Sequence, residues 1–327
     1  MKILLLTGLT ALTLSYALGL VTIPFLRRLK AGQPIYEYVK EHKDKSGTPT
    51  MGGLFFVVAA IIAFIFFGGA NGRIAVVSAS IGVAYMLVGF IDDFIKIKYK
   101  TNEGLRPYQK IIFQLFIAVF AGVFVWHNGL TVFYIPFVAS STDLGFFAVI
   151  IVAVIFLAVT NSVNLTDGLD GLAGSVSAAY LIVLICLISL QIDKFSELYL
   201  LPQEYEYMNI LSASLVGAIL GFLIFNQSKA KIFMGDTGSL SLGGFIGAIS
   251  IFSSNSFFIP VIGIMFVMSS ISVILQVIHF KRTKKRIFLM APLHHHFQLK
   301  GYTENKITYC YTIVTFVSGA ICLIAYM

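Results

Sequence analysis

Apolar positions along the chain form long runs that short polar stretches separate. A helix that crosses a bilayer needs about 20 mostly apolar residues. Ten segments meet this requirement or come near it. They are 3–26, 51–70, 74–91, 108–126, 144–163, 172–190, 209–225, 238–254, 258–280 and 307–326. The pattern predicts an all-α polytopic integral membrane protein with about ten transmembrane helices, in which residues 1–327 form a single transmembrane domain.

Some stretches depart from this simple pattern. Segment 238–254 is rich in Gly and Ser, which suits close helix packing better than contact with lipid. Residues 131–138 (TVFYIPFV) predict a short extracytoplasmic hairpin, although Pro136 disfavours strand pairing. Residues 191–208 (QIDKFSELYLLPQEYEYM) predict an interfacial stretch with aromatic side chains.

The composition supports the membrane assignment. Hydrophobic residues make up 58% of the 327 residues, charged residues only 12%, and the mean hydropathy is +0.90. A soluble globular domain carries about 25% charged residues. The three cysteines lie in apolar runs and form no CxxC pattern, which argues against a disulfide framework or a zinc site. The sequence contains no nucleic-acid-binding module, so we expect no nucleic-acid partner.

Positive charge predicts which face of the bundle is cytoplasmic. Most of the 23 Lys and Arg residues fall in loops 27–50, 96–110, 226–237 and 281–306. Cytoplasmic loops carry an excess of these residues. With ten spans these loops share one face, so both termini are predicted to be extracytoplasmic. The net charge of +8 also favours anionic membrane lipids or an anionic substrate at the cytoplasmic face.

Carboxylates also gather at the cytoplasmic ends of the predicted spans, where they are costly beside lipid and usually functional. In GFIDDFIKIKYK (89–100), Asp92 and Asp93 close the third span, and Lys96 and Lys100 follow at helical spacing. Two interpretations stay open. The stretch is either a ladder of ion pairs at a helix end, or a carboxylate pair for a hard cation or proton transfer, with lysines for phosphate.

A second cluster repeats polar side chains at every third position. NSVNLTDGLDGLAG (161–174) holds Asn161, Asn164, Asp167 and Asp170. Neighbouring members share a face of an α-helix. A plain turn does not explain four polar side chains in one register, so the register favours a functional role.

A third cluster opens the eighth predicted span. NQSKAKIFMGDTGSLSLGG (226–244) places Asp236 between Gly235 and Gly238. A helix N-terminus attracts phosphate, although part of this pattern is ordinary helix capping. Phe233, just before the glycine, could stack on a base or simply pack in the core.

Two further stretches offer donors to an anionic group. KSGTPTMGG (45–53) carries Lys45 and Thr50 in a glycine-rich turn, without the GK[ST] of a Walker A motif. MAPLHHHFQLKG (290–301) holds His294, His295 and His296. Adjacent residues on a helix point about 100° apart, so three consecutive imidazoles do not easily converge on one metal. We expect them to contact phosphate or sugar oxygens instead.

Together these clusters predict phosphate chemistry at a membrane face. Carboxylate oxygens suit Mg²⁺, which binds through one or two carboxylates plus substrate phosphates. Lysines can neutralise the charge that develops in phosphoryl transfer. Because the polar rim adjoins an apolar bundle, the arrangement fits the movement of a phospho-group from a soluble donor to a lipid.

Five motifs in this order resemble the phospho-N-acetylmuramoyl-pentapeptide transferases, a family of the polyprenyl-phosphate sugar-1-phosphate transferase superfamily. The motifs are GTPTMGG (47–53), IDDFIKI (91–97), NLTDGLDGLA (164–173), FMGDTGSL (233–240) and APLHHHFQLKG (291–301). The resemblance implies a Mg²⁺-dependent enzyme of the bacterial inner (plasma) membrane with its active-site cleft on the cytoplasmic face. Its substrates would be UDP-MurNAc-pentapeptide and undecaprenyl phosphate, and its products lipid I and UMP. The sequence leaves a homodimer open.

The resemblance also implies roles for individual residues. Asp236 would bind Mg²⁺, and Asp92, with Asp93 beside it, would activate the lipid phosphate. The positions that would hold the uridine part of the donor are Lys96, Asp170, Asn226, Phe233 and Gly235. The positions that would line the cleft are Lys45, Thr50, Lys100, Asn164, Asp167, His294, His295 and His296. This chain departs from the family pattern at Lys229, Gln298 and Tyr302, which bears on substrate tuning more than on the reaction.

Three alternatives stay open at this point. A polyprenyl-phosphate GlcNAc-1-phosphate transferase would share the chemistry, although such relatives carry a different, Arg-containing histidine motif. An ion-coupled transporter would hold its carboxylates near mid-span, whereas here they lie at one rim. A non-catalytic lipid-binding scaffold would be indifferent to the loss of Asp236.

Overall fold

A computed structural model describes residues 1–29, 47–101, 103–138, 140–194 and 200–327. The helices in it are α1 (Lys2–Arg28), α2 (Gly53–Phe66), α3 (Arg73–Tyr99), α4 (Pro107–His127), α5 (Ala148–Thr166), α6 (Leu172–Lys194), α7 (Pro202–Asn226), α8 (Gly235–Phe252), α9 (Ile259–Ile262), α10 (Ile264–Thr283), α11 (Leu293–Leu299) and α12 (Glu304–Tyr326). The strands are β1 (Val132–Ile135) and β2 (Ser140–Asp143). The protein is therefore a helical bundle with one small hairpin.

Within the described residues, eight helices are long and apolar enough to cross a membrane, namely α1, α3, α4, α5 with the turn before it, α6, α7, α10 and α12. This confirms a multi-pass helical membrane protein. Two of the ten predicted spans differ. α2 has only 14 residues, and α8 is not among the eight helices that meet the criterion. The count of ten and the sides of the two termini stay predictions.

α8 is the central helix of the bundle. Every residue from Thr237 to Phe252 is buried, and α8 packs against α2, α3 and α5. Its many Gly and Ser residues allow this close approach, because small side chains let helix backbones come near one another. The segment that is weakest as a lipid-facing span is thus the most enclosed one, as its composition indicates.

The predicted ninth span is interrupted near its start. A 3₁₀ turn (Ser256–Phe258) leads into the single turn of α9, and Gly263 separates α9 from α10. Pro260 fits in the first turn of α9, where a missing N–H costs nothing. α10 then leaves the bundle as the span with the smallest buried share, 17%.

The hairpin predicted at 131–138 is confirmed in part, because this segment holds β1 while β2 lies beyond it. β1 and β2 pair antiparallel, with Val132 opposite Asp143 and Ile135 opposite Ser140. Pro136 lies in the turn after β1, so its missing N–H removes no ladder bond. The stretch predicted to be interfacial contains the end of α6, at Lys194, and the start of α7, at Pro202, while residues 195–199 lie outside the described residues. Its interfacial position stays a prediction.

A carboxylate on α7 caps the start of α3. The side chain of Glu204 accepts hydrogen bonds from the backbone N–H groups of Arg73 (3.1 Å) and Ile74 (2.9 Å). The Arg73 guanidinium donates in turn to the Asn128 Oδ1 at 2.6 Å. The first N–H groups of a helix have no partner within it, so Glu204 satisfies two of them and ties three helices together at this end of the bundle.

We expect Glu204→Ala to lower the free energy of unfolding by about 1 kcal/mol, the usual cost of a lost helix cap. Thermal unfolding in detergent measures the change. Glu206→Ala removes an exposed carboxylate from the same helix and serves as the matched control. An equal effect of the two substitutions would contradict the capping role.

Candidate active site

Asp236 is the centre of a polar cluster at the start of α8. Its Oδ2 accepts hydrogen bonds from the Lys96 Nζ at 2.9 Å and the Lys110 Nζ at 2.7 Å. Its Oδ1 accepts one from the Asn164 Nδ2 at 2.7 Å, and this nitrogen also lies 2.8 Å from the Ser239 Oγ. One carboxylate therefore draws side chains from α3, α4 and α5 to the first turn of α8.

Asp93 fixes this first turn from the neighbouring helix α3. Its Oδ1 accepts from the backbone N–H of Asp236 at 3.2 Å, and its Oδ2 accepts from the backbone N–H and the hydroxyl of Thr237 at 2.9 and 2.7 Å. A carboxylate at the N-terminus of a helix satisfies free N–H groups and interacts well with the helix dipole. Gly235 allows the tight approach, because its φ is +71° and a side chain there would meet the Asp93 carboxylate and the Thr50 hydroxyl.

Asp92 completes the acidic group. Its Oδ1 accepts from the backbone N–H of Leu105 at 2.9 Å, and its Oδ2 lies 2.6 Å from the Lys96 Nζ. The same ammonium lies 3.8 Å from the Asp93 Oδ1. Lys96 thus contacts all three aspartates, and it offsets part of their negative charge in a largely buried setting.

The three carboxylates suit a divalent cation. Asp92, Asp93 and Asp236 each offer an oxygen, and these oxygens lie within 4.8 Å of one another. Hard cations such as Mg²⁺ prefer oxygen ligands, and few carboxylates suffice when substrate phosphates complete the coordination. The donor set therefore fits Mg²⁺, with Asp236 as the carboxylate that the sequence predicts for it.

Asp170 and Asn226 connect the turn after α5 to the loop before α8. The Asp170 Oδ2 accepts from the backbone N–H of Ala230 at 3.0 Å, and the Asn226 Oδ1 accepts from that of Gly171 at 3.0 Å. Both side chains are buried. Their contact with the uridine part of the donor stays a prediction, and in the structure both side chains bond the backbone of neighbouring loops.

Asp167 lies directly after α5, in the same turn. Its desolvation by burial and the nearby charges of Asp236, Asp93 and Asp170 raise the pKa of its carboxyl well above the ordinary value. A carboxyl that keeps its proton more readily can donate a hydrogen bond to an anionic group as well as accept one.

The loop before α2 runs beside the loop before α8. The backbone N–H of Phe233 donates to the Pro49 carbonyl at 2.8 Å, and that of Gly52 donates to the Phe233 carbonyl at 2.9 Å. Thr50 is completely buried between these bonds, and Phe233 is half-buried. Lys45, predicted in the same loop, lies outside the described residues.

α11 carries the three histidines, His294, His295 and His296. His294 is completely buried against Gly168 in the turn after α5, and burial keeps the pKa of its imidazole well below the usual value. The rings of His294 and His295 lie 4.4 Å apart, whereas the His296 Nδ1 accepts from the backbone N–H of Leu289 at 3.1 Å. Within the described residues, the group of three possible metal ligands is made of Asp92, Asp93 and Asp236, and none of these histidines belongs to it.

The sequence does not show which of two lysines, Lys100 or Lys110, lies close to Asp236. Lys100, expected in the cleft, ends α3 and is exposed. Lys110, in the first turn of α4, instead bonds Asp236. Its only sequence signal is its position at the edge of the basic loop after the aspartate pair. One turn further along α4, the buried Gln114 accepts from the Asn161 Nδ2 at 2.7 Å and forms a second polar layer.

The fold and the site together define a class. The protein is a multi-pass helical bundle. At the start of a buried helix, its carboxylates bond to lysines and suit a hard cation. This combination is typical of a membrane enzyme that works on phosphate groups.

Comparison with known proteins gives the family. Residues 74–254 match the model of glycosyl transferase family 4, and residues 45–57 match signature 1 of phospho-N-acetylmuramoyl-pentapeptide-transferase. The chain is 41% identical over 311 residues to the phospho-N-acetylmuramoyl-pentapeptide-transferase of Caldanaerobacter subterraneus. The aligned region covers 95% of this chain and 94% of that relative. It is 42% identical over 327 residues to the protein of the same name from Bacillus subtilis. Here the aligned region covers 98% of this chain and 96% of the relative. The chain belongs to the phospho-N-acetylmuramoyl-pentapeptide-transferase family.

Proposed function

We propose that this enzyme transfers phospho-MurNAc-pentapeptide from UDP-MurNAc-pentapeptide to undecaprenyl phosphate, which yields lipid I and UMP for peptidoglycan synthesis. One observation carries the proposal. The acidic group of Asp92, Asp93 and Asp236, with Lys96 and Lys110 bonded to it, lies at the start of a buried helix in a chain of this family. We place the enzyme in the bacterial plasma membrane with this site on the cytoplasmic face.

The reaction exchanges one phosphoanhydride for another. An oxygen of the lipid phosphate attacks the phosphorus that bears the sugar, a new P–O bond forms, and the bond to the UMP phosphate breaks. Bound at Asp236 in this acidic group, Mg²⁺ would neutralise charge on the phosphates of the donor. Lys96 and Lys110 supply further positive charge beside the leaving group, and Asp92 takes the remaining proton of the lipid phosphate.

The surrounding residues have supporting roles in this proposal. Asp93 positions Asp236 through the backbone of α8. Asn164 orients the Asp236 carboxylate. The residues that bind the donor are Lys45, Thr50, Lys100, Asp167, Asp170, Asn226, Phe233, Gly235, His294, His295 and His296. The buried ones among them shape the wall, and Phe233 stacks on the uracil ring.

A radiolabelled-donor assay tests the function. Purified enzyme, undecaprenyl phosphate and UDP-MurNAc-pentapeptide should give labelled lipid I and UMP, and chelation of Mg²⁺ should stop the reaction. UDP-GlcNAc in place of the muramoyl donor should give no product. Transfer from UDP-GlcNAc alone would assign the chain to the GlcNAc-1-phosphate transferases instead.

We expect Phe233→Ala to weaken donor binding about 5- to 150-fold, because stacking on a base is worth about 1–3 kcal/mol. Turnover at a saturating donor concentration should change little. Isothermal titration with UDP-MurNAc-pentapeptide measures the affinity. Phe257→Ala, which removes another half-buried ring beyond the far end of α8, is the matched control. An unchanged donor affinity in Phe233→Ala would refute the stacking role.

A further inference from the structure

The end of α10 carries a dense run of cations that the proposed reaction does not use. The run consists of Lys281, Arg282, Lys284, Lys285 and Arg286. All five side chains are exposed. The sequence contains no Asp or Glu between Asp236 and Glu304, so no acidic neighbour along the chain offsets this charge.

Exposed apolar side chains follow the cations directly. Ile287 is 48% exposed and Leu289 is 49% exposed. The general excess of Lys and Arg on the cytoplasmic side accounts for cations at a helix end, but not for exposed aliphatic side chains beside them. A surface that combines both is typical of segments that lie in the headgroup region of an anionic membrane.

The backbone of this segment is held in place rather than loose. The Gln276 Oε1 on α10 accepts from the N–H groups of Ile287 (3.1 Å) and Phe288 (3.0 Å), and its Nε2 donates to the Phe288 carbonyl at 3.2 Å. The segment therefore folds back against α10, which is itself the least buried span. Cations and aliphatic side chains are thus presented from a fixed backbone next to a lipid-facing helix.

We propose that residues 281–289 form a binding surface for anionic phospholipid headgroups. The cations contact the headgroup phosphates, and Ile287 and Leu289 enter the interfacial layer of the bilayer. Each cation near an anionic leaflet gains from its negative surface potential, so several adjacent cations favour anionic over zwitterionic lipid strongly.

This surface connects to the histidine helix. The backbone N–H of Leu289 donates to the His296 Nδ1, and the rings of Phe288 and His296 lie 5.7 Å apart. Lipid bound at residues 281–289 would therefore contact a segment that is hydrogen-bonded to α11.

Fluorescence quenching tests the binding surface without any reference to catalysis. The chain has a single tryptophan, Trp126, so Trp126→Phe with Leu289→Trp leaves one reporter in the segment. The full-length protein is placed in nanodiscs of phosphatidylcholine and phosphatidylglycerol, with bromine on the chains of one lipid or the other. Brominated phosphatidylglycerol should quench the reporter several-fold more than the same fraction of brominated phosphatidylcholine.

Charge neutralisation separates lipid binding from general contact with the bilayer. Lys284→Gln with Lys285→Gln should remove most of the preference for phosphatidylglycerol. Arg27→Gln with Arg28→Gln, which removes two exposed cations at the end of α1, should leave it intact. Equal quenching by the two lipids, or a preference that survives neutralisation at residues 284 and 285, would overturn the proposal.

An activity measurement covers the competing possibility that these cations bind the donor. In discs of phosphatidylcholine alone, the neutralised enzyme should have the donor KM of the unmodified enzyme. A KM raised several-fold there would assign the cations to the donor and overturn the lipid assignment. A failure of the proposed reaction would leave the quenching result unaffected, so the two proposals are tested separately.

Discussion

Asp236→Asn should lower turnover by about 10²- to 10³-fold, the usual effect of removing one preorganised electrostatic group from an active site. The substitution keeps the shape of the side chain and removes its charge. Lys96, Lys110 and Asn164 all converge on this carboxylate, at 2.9, 2.7 and 2.7 Å. Its loss therefore removes the proposed metal ligand and the group that bonds both ammonium groups.

Initial rates with the labelled donor, measured over a range of Mg²⁺ concentrations, check this result. The Mg²⁺ requirement should rise or saturation should disappear, while the melting temperature stays close to that of the unmodified enzyme. Asp143→Asn removes an exposed carboxylate from the hairpin and is the matched control. Turnover in Asp236→Asn equal to that of the control would remove this residue from the mechanism and reopen the scaffold interpretation.

Gly89→Ala should damage the same site without changing any of its functional groups. A methyl group at Gly89 would collide with the backbone of Asp236 and lie 2.6 Å from the Thr237 nitrogen. These are backbone atoms, so α3 and α8 must separate, and Asp93 then loses its contact with the first turn of α8. Overpacking of this kind costs about 1–3 kcal/mol, and a shift of about 1 Å at a reacting group can lower the rate about 100-fold.

Thermal unfolding and initial rates on the same preparation check this second result. Both the melting temperature and the initial rate should fall. Gly8→Ala is the control, because its new methyl group would have its nearest contact at an ordinary 3.4 Å from the Ala213 carbonyl. A stable Gly89→Ala protein with unmodified turnover would show that the approach of α3 to α8 does not set the position of Asp236.

The acids of the site could be predicted from the sequence because each one stands out locally. A carboxylate beside an apolar run is costly, so Asp92, Asp93 and Asp236 are conspicuous wherever the chain folds. Their convergence on one point could not be derived from spacing, since Asp93 and Asp236 meet across the contact of α3 with α8. The ordered motifs that resemble the family provided that step.

Other features depend on contacts that leave no local pattern. Lys110 looks like any basic residue at a helix start, and only the packing of α4 brings it to Asp236. Asp170 and Asn226 accept hydrogen bonds from the backbone of loops that are distant in the sequence. Their residue types alone do not predict these bonds. The helix lengths also differ from the apolar runs, because the run 51–70 does not show that α2 begins at Gly53 and ends at Phe66.

The burial of α8 has a consequence for how the enzyme is made. This helix presents no face to lipid and is not among the helices apolar enough to span a membrane by themselves, so the bilayer alone is a poor partner for it. It gains its stability from α2, α3 and α5, which precede it in the chain. During biosynthesis we therefore expect α8 to pack into the bundle only after those helices are inserted. Asp236 then forms its ion pairs with Lys96 and Lys110 as α8 packs. A half-made chain consequently carries no assembled active site.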